Sequence, residues 1–112
     1  MAIVRIDAYK SLIFSSISGS YVAVGTPLLH NWRAFRIVNA TDGDLIFSLD
    51  GEFDNLFVPA RSFVLYDIST NSAPLNNIDQ LVFGINSQFY VKQSTAPTMG
   101  SVYIEGFYAR GE

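Results

Sequence analysis

The sequence predicts an all-β domain: an antiparallel β-sandwich, jelly-roll-like, of about eight short strands. Two observations lead there. Apolar and polar residues alternate with period two in several short runs, the pattern of half-buried strands. Turn residues punctuate the chain about every eight to twelve positions, with no βαβ alternation between them.

Residues 1–10 stand apart from the first clear strand. They have two readings, an arm reaching a neighbouring subunit or another strand of the same domain. Residues 11–18 (SLIFSSIS) form the first clear β run, ended by Gly19 and Ser20; residues 21–24 follow and stop at Gly25, Thr26 and Pro27. Residues 33–39 (RAFRIVN) alternate cleanly: Phe35 and Ile37 share a side with Arg33, while Arg36 points the other way. After a turn at 40–43, residues 44–49 put Leu45, Phe47 and Leu49 on one face. Asp50-Gly51 is then a strong turn signal, because glycine accepts a positive φ and aspartate bonds its own backbone. Residues 56–58 end at Pro59, whose missing amide favours an edge or a strand end. Residues 62–67 (SFVLYD) come next, then the longest polar connection, 68–79. Two runs, 80–85 and 87–92, precede the loop 93–100 and the final strand, 101–109. In that last strand Val102, Ile104 and Gly106 alternate with Tyr103, Glu105 and Phe107. One stretch competes with this reading, since Ile78, Leu81, Val82, Ile85 and Phe89 also fit helical spacing. Gly84, Asn86 and Ser87 and the β-branched and aromatic content favour strand there.

With 112 residues, 49% of them apolar, and nine Phe and six Tyr, the chain has material for one domain, residues 1–112, around one core. Seven basic and ten acidic residues leave little charge to cover a monomer's surface. That composition favours assembly, with a homo-oligomer expected, over a compact monomer whose surface is rich in Ser, Thr and Asn. The net charge of −3 and the scattering of Lys and Arg argue against a phosphate-backbone partner, so no nucleic acid is expected. No cysteine is present, which removes disulfides and thiolate metal sites. Arg5 and Asp7 sit where a secretory leader needs its apolar core, and no apolar run nears the roughly 20 residues of a membrane span. A soluble product made in the cytosol, without a membrane partner, is the expectation.

Reactive chemistry is scarce. Nucleophilic catalysis needs a base in reach, and the one histidine, His30, sits beside Trp32 in a loop, where packing or hydrogen bonding is the ordinary role. The serines lack a nucleophile-elbow context and the glycines read as turn punctuation, so no catalytic residue, cofactor or metal ligand is assigned. Half of the acids, Asp42, Asp44, Asp50, Glu52 and Asp54, fall between positions 42 and 54. Asp50, Glu52 and Asp54 alternate like the start of a calcium loop, yet Arg61 stands where the closing acid belongs; solvated turn carboxylates are preferred. Asn39-Ala40-Thr41 matches a glycosylation sequon but reads as a turn. Trp32, Phe53, Phe57, Tyr66, Tyr90, Tyr103 and Tyr108 can line a carbohydrate or protein surface, though most are needed in the core.

Residues 39–51 (NATDGDLIFSLDG), 54–71 (DNLFVPARSFVLYDISTN) and 89–105 (FYVKQSTAPTMGSVYIE) together resemble small proteins encoded among the virion structural genes of tailed bacteriophages. The resemblance spans residues 11–108. It implies a building block of the virion, synthesised in the bacterial host cytoplasm, whose partners are other virion proteins. Two positions fit: a capsid cement or decoration protein over junctions of the major capsid protein, or a head-tail connector, tail or fibre-anchoring protein beside portal and tail proteins. A carbohydrate-binding sandwich, with Trp32 or surface tyrosines as stacking platforms, is the reading from another class; an enzyme is not expected. Loops carry binding on rigid β scaffolds. The candidate interface residues are therefore Leu28, Leu29, His30, Asn31 and Trp32, then Asp50, Glu52, Phe53, Asp54 and Asn55, then Thr95, Pro97 and Met99.

Overall fold

In the computed structural model, which describes residues 4–67, 84 and 86–109, the alternating runs become nine strands in two antiparallel sheets. The first sheet has the order β1 (Val4–Ile6), β9 (Ser101–Ala109), β4 (Trp32–Asn39), β7 (Ser62–Asp67), with β2 (Lys10–Ile13) also on β9. The second runs β3 (Val22–Ala23), β8 (Tyr90–Gln93), β5 (Leu45–Ser48), β6 (Leu56–Val58). β1 and β2 share one edge in succession, β1 against residues 107–109 and β2 against 101–104. Counted as one interrupted strand, they leave eight strand positions. The first then pairs with the eighth, the second with the seventh, the third with the sixth and the fourth with the fifth. That nested pairing is a jelly roll, the architecture the turn spacing predicts.

The expected bounds of β6, β7 and β9 agree with the structure. The run 11–18 does not stay one strand. The amide of Ile17 donates to the Phe14 carbonyl at 3.0 Å, closing a 3-10 turn over Phe14–Ser16, and the Phe14 amide donates to Gly100 at 3.0 Å. The chain leaves one sheet for the other here, and the turn delivers Ile17 to the core. The connection 68–79, the expected run 80–85 apart from Gly84, and most of the stretch where a helix competes lie outside the described residues. Residues 86–89 are a turn and irregular backbone leading into β8.

The core is the space between the two inner faces. Phe35 and Ile37 from β4 and Val102 and Ile104 from β9 meet Leu45, Phe47, Val58 and Val91 from the second sheet. Each such side chain contributes roughly 1.5–3 kcal/mol through burial. Trp32, Phe35 and Phe89 close one end, with Phe89 5.9 Å from the Trp32 ring and 5.2 Å from Phe35. The register shifts between Trp32 and Ala34, Trp32 is fully buried, and its indole lies over Gly106, where a side chain would collide with it.

At the far end of β4, Asn39 is completely buried and bridges the sheets. Its Nδ2 donates to the carbonyls of Gly43 (2.9 Å), Val58 (3.0 Å) and Pro59 (3.1 Å). Its Oδ1 accepts from the Thr41 amide at 3.0 Å and hydroxyl at 2.6 Å. The sequon is thus a turn, as read, and its asparagine is an internal brace. The connections 40–44, 59–61 and 94–100 leave this end of the sandwich, while 24–31 and 49–55 leave the other.

Candidate interaction surfaces

The outer face of the first sheet is built by the residues that alternate with the core positions. On β9 these are Tyr103, Glu105 and Phe107; on β4, Ala34, Arg36 and Val38; on β7, Phe63 and Leu65; and on β1, Ile6. The register aligns Leu65, Arg36 and Glu105 in one row across the sheet, with Phe63, Val38 and Tyr103 in the next. Large apolar side chains stay uncovered here: Ile6 is 73% exposed, Phe63 59% and Leu65 59%. Tyr9 stands over this side, edge-on to Tyr103 at 5.9 Å. In the middle, Arg36 Nε and Nη2 donate to Glu105 Oε1 at 2.6 and 2.5 Å, and the guanidinium lies 5.8 Å from the Phe63 ring. Ile6, Leu65 and Phe107 flank this pair around a depression of about 390 Å³.

The outer side of the second sheet is more polar. The Tyr21 hydroxyl donates to Asp54, Lys92 Nζ lies 3.0 Å from the same carboxylate, and the ammonium sits 4.7 Å over the Tyr21 ring. Burial and the Asp54 charge push the Tyr21 hydroxyl up to about 12.

The three loops expected to carry contacts divide between the two ends. In the first, Leu28 and Trp32 are corrected from interface to core: both are fully buried, because the jelly roll folds this connection over the open end of the sandwich. The Leu28 amide donates to Ser87 at 2.9 Å and the Asn86 amide to Leu28 at 2.8 Å, which fixes that cover. Asn31 is half-buried. Leu29 alone in this loop is a large apolar side chain left outside, at 74% exposure. His30 stacks on Tyr108 at 3.8 Å with the rings parallel.

At the same end, residues 49–55 form a closed turn. Asp50 Oδ1 accepts the amides of Glu52 (2.8 Å) and Phe53 (2.9 Å) and the Ser48 hydroxyl (2.8 Å). Asn55 Oδ1 accepts the Leu49 amide at 2.9 Å, so the exposed Phe53 is carried by a hydrogen-bonded frame. The third loop lies at the opposite end. Asp42 Oδ1 accepts the amides of Thr98 (2.7 Å) and Met99 (3.3 Å), the Thr98 hydroxyl also bonds this carboxylate, and the Thr95 amide donates to Asp44. Pro97 packs against Gly43, and Met99 remains exposed beside Arg61, whose Nη2 is 3.7 Å from its sulfur. Three of the five acids of positions 42–54 are therefore structural: each of Asp42, Asp44 and Asp50 holds a backbone amide of a turn. Among the described residues no three His, Asp or Glu side chains converge as a metal site would require.

Asp7 marks the break between β1 and β2. Its amide still bonds Gly106 at 2.9 Å, while its carboxylate accepts the Trp32 indole at 3.0 Å and lies 3.4 Å from His30 Nδ1. Burial pushes this carboxyl up, but bonds from Trp32, His30 and the Ala8 amide outweigh it and hold the group below the usual carboxylate value. Asp42 is lowered by Thr98, Asp50 by the Glu52 and Phe53 amides, and Asp54 by Tyr21 and Lys92. A carboxylate with a folded pKa below its unfolded value stabilises the fold fully above about pH 4, and that contribution disappears as pH falls through the lower folded value. The urea midpoint is therefore expected to drop between about pH 5 and about pH 2, and Asp7→Asn should flatten part of that slope. An unchanged slope in the variant would remove Asp7 from the acid sensitivity.

The outer-face residues Ile6, Phe63, Leu65 and Phe107 were not among the loop candidates. Their signal is nonetheless present: SFVLYD is apolar on both faces, whereas a strand with one wet face alternates. No helix among the described residues is long and apolar enough to cross a membrane. Compared with protein-family models, curated proteins and solved structures, the chain matches none of them.

Proposed function

We propose that the chain is a non-enzymatic structural protein of a tailed-phage particle, a capsid cement protein that binds across junctions between major capsid subunits. The observation that carries this reading is the apolar outer face of the first sheet, where Ile6, Phe63, Leu65 and Phe107 stand exposed on paired strands. The ladder holds those side chains in fixed rows, so a complementary surface gains roughly 25 cal/mol per Å² covered with little ordering cost. Apolar tips on closed turns, Phe53 at one end and Met99 at the other, supply further fixed contacts. The segments that resemble phage virion proteins run through β5, β6, β7, β8 and the first half of β9, and jelly rolls serve as capsid and lectin domains. The lectin reading loses its main stacking platform, since Trp32 is buried.

Quantitative mass spectrometry of purified particles tests the role. The chain is expected in particles at a copy number commensurate with the major capsid protein. A copy number matching a single portal ring would make it a connector or tail component instead, and absence from particles would overturn the proposal. Particles lacking the chain are also expected to release their DNA at a lower temperature than complete ones.

A further inference from the structure

We infer that the outer face of the first sheet binds a second copy of this chain, about a two-fold axis that runs along the strands between β4 and β9. The inference rests on the proposal that this face is a contact surface, and it makes that contact the pairing of two cement copies, which leaves the apolar tips Phe53 and Met99 to meet the capsid subunits.

The argument is one of charge and symmetry. Arg36 and Glu105 sit at the same height on adjacent strands in the middle of the four-column sheet. A two-fold axis along the strands between them carries β4 of one copy over β9 of the other. Arg36 then faces Glu105 of the second copy, and Glu105 faces its Arg36. The other axis lying in the face, across the strands through the same row, would stack Arg36 on Arg36 and Glu105 on Glu105. Like charges in a desolvated interface are strongly unfavourable, so the charge pattern selects the first axis. The same operation lays each β7, with Phe63 and Leu65, over the β1 and β2 edge of its partner, where Ile6, Tyr9 and Ile13 are exposed. The strands of the two sheets stay aligned, the common geometry of sheet-on-sheet packing.

Size sets the strength. Four columns about 4.8 Å apart and some six residues at about 3.4 Å give a face on the order of 400 Å². Two such faces, with their side-chain relief, bury on the order of 1,000 Å², the lower bound for a specific interface. A dimer at that lower bound should be weak and therefore concentration-dependent.

Sedimentation equilibrium across a concentration series tests this. The wild-type chain is expected to dimerise, and Arg36→Glu and Glu105→Arg should each weaken the dimer at least tenfold. An equimolar mixture of the two variants should recover association, because a doubly negative face then meets a doubly positive one. A role confined to the intrachain ion pair would give no such recovery. Both side chains are solvent-exposed, so far-UV circular dichroism should be unchanged. Should either variant fail to fold, Leu65→Lys on the same face must abolish the dimer in its place. A wild-type monomer at high concentration, singles that dimerise normally, or a mixture that stays monomeric would each overturn the inference. A monomeric chain found in particles would leave the particle role standing, whereas a dimer absent from particles would remove that role and keep the interface.

Discussion

Asn39→Asp is expected to destabilise the fold by on the order of 4 kcal/mol at neutral pH, a large part of the stability of a domain this size. The wild-type amide shares its two hydrogens among three backbone carbonyls, those of Gly43, Val58 and Pro59. An aspartate keeps the oxygen that accepts from Thr41 but turns its second oxygen toward those three carbonyls in a site without solvent. Three acceptors lose their donor, and a negative charge is buried against them. The pH dependence gives a signature. The folded pKa of this carboxyl would lie above the unfolded value, so the deficit is full at neutral pH and shrinks as pH falls through the folded pKa. Urea midpoints measured from pH 7 to pH 4 should therefore rise for the variant, where the wild type stays level or falls. A variant as stable as wild type at neutral pH would refute the role of Asn39 as the bridge between the sheets.

Gly106→Ala should cost about 3 kcal/mol, the upper range for forcing one extra carbon into a packed core. Gly106 pairs with Phe35 on β4, and a Cβ there would fall on the indole carbons of the fully buried Trp32. The backbone around it is fixed by the ladder, so the indole must move. Its movement would stretch the bond to Asp7 and disturb the packing on Phe89. Elsewhere in a strand, Gly to Ala is usually neutral or stabilising, which makes the sign of this change diagnostic. Trp32→Leu alone should also be costly, through the cavity it leaves. Combined with Gly106→Ala the two losses should fall well short of their sum, since the new methyl enters the vacated space. Additive losses in that double-mutant cycle would mean that the glycine is required for another reason.

Local chemistry made much of this fold legible. β6 is bounded in the sequence by Pro59 and β9 by Gly100 and Gly111, and the alternation in β9 sets Val102, Ile104 and Gly106 apart from the outward Tyr103, Glu105 and Phe107. Jelly-roll character follows from strand number and turn spacing, but the pairing itself does not. Val4 pairs with Ala109 and Trp32 with Tyr108, and no local pattern records partners so far apart. Trp32 looked like a loop residue for the same reason: the space that receives it is opened by Gly106, far along the chain. The acidic loops were read correctly as turns, because an aspartate beside glycine bonds nearby amides whatever the tertiary setting. The apolar outer face escaped notice because strands were assigned one apolar side, while SFVLYD carries apolar residues on both.

The position of β9 also governs when the protein can fold. It lies between the β1 and β2 edge and β4, so the first sheet has an empty slot until residues 101–109 have been made. A ribosome delivers the chain from its N-terminus, and no nascent fragment ending before Ser101 can join the two halves of that sheet. Closure of the first sheet must then wait for that strand, with the long-range pairings forming last. Until then β4 can pair with β7 along one edge, while its other edge stays open for β9.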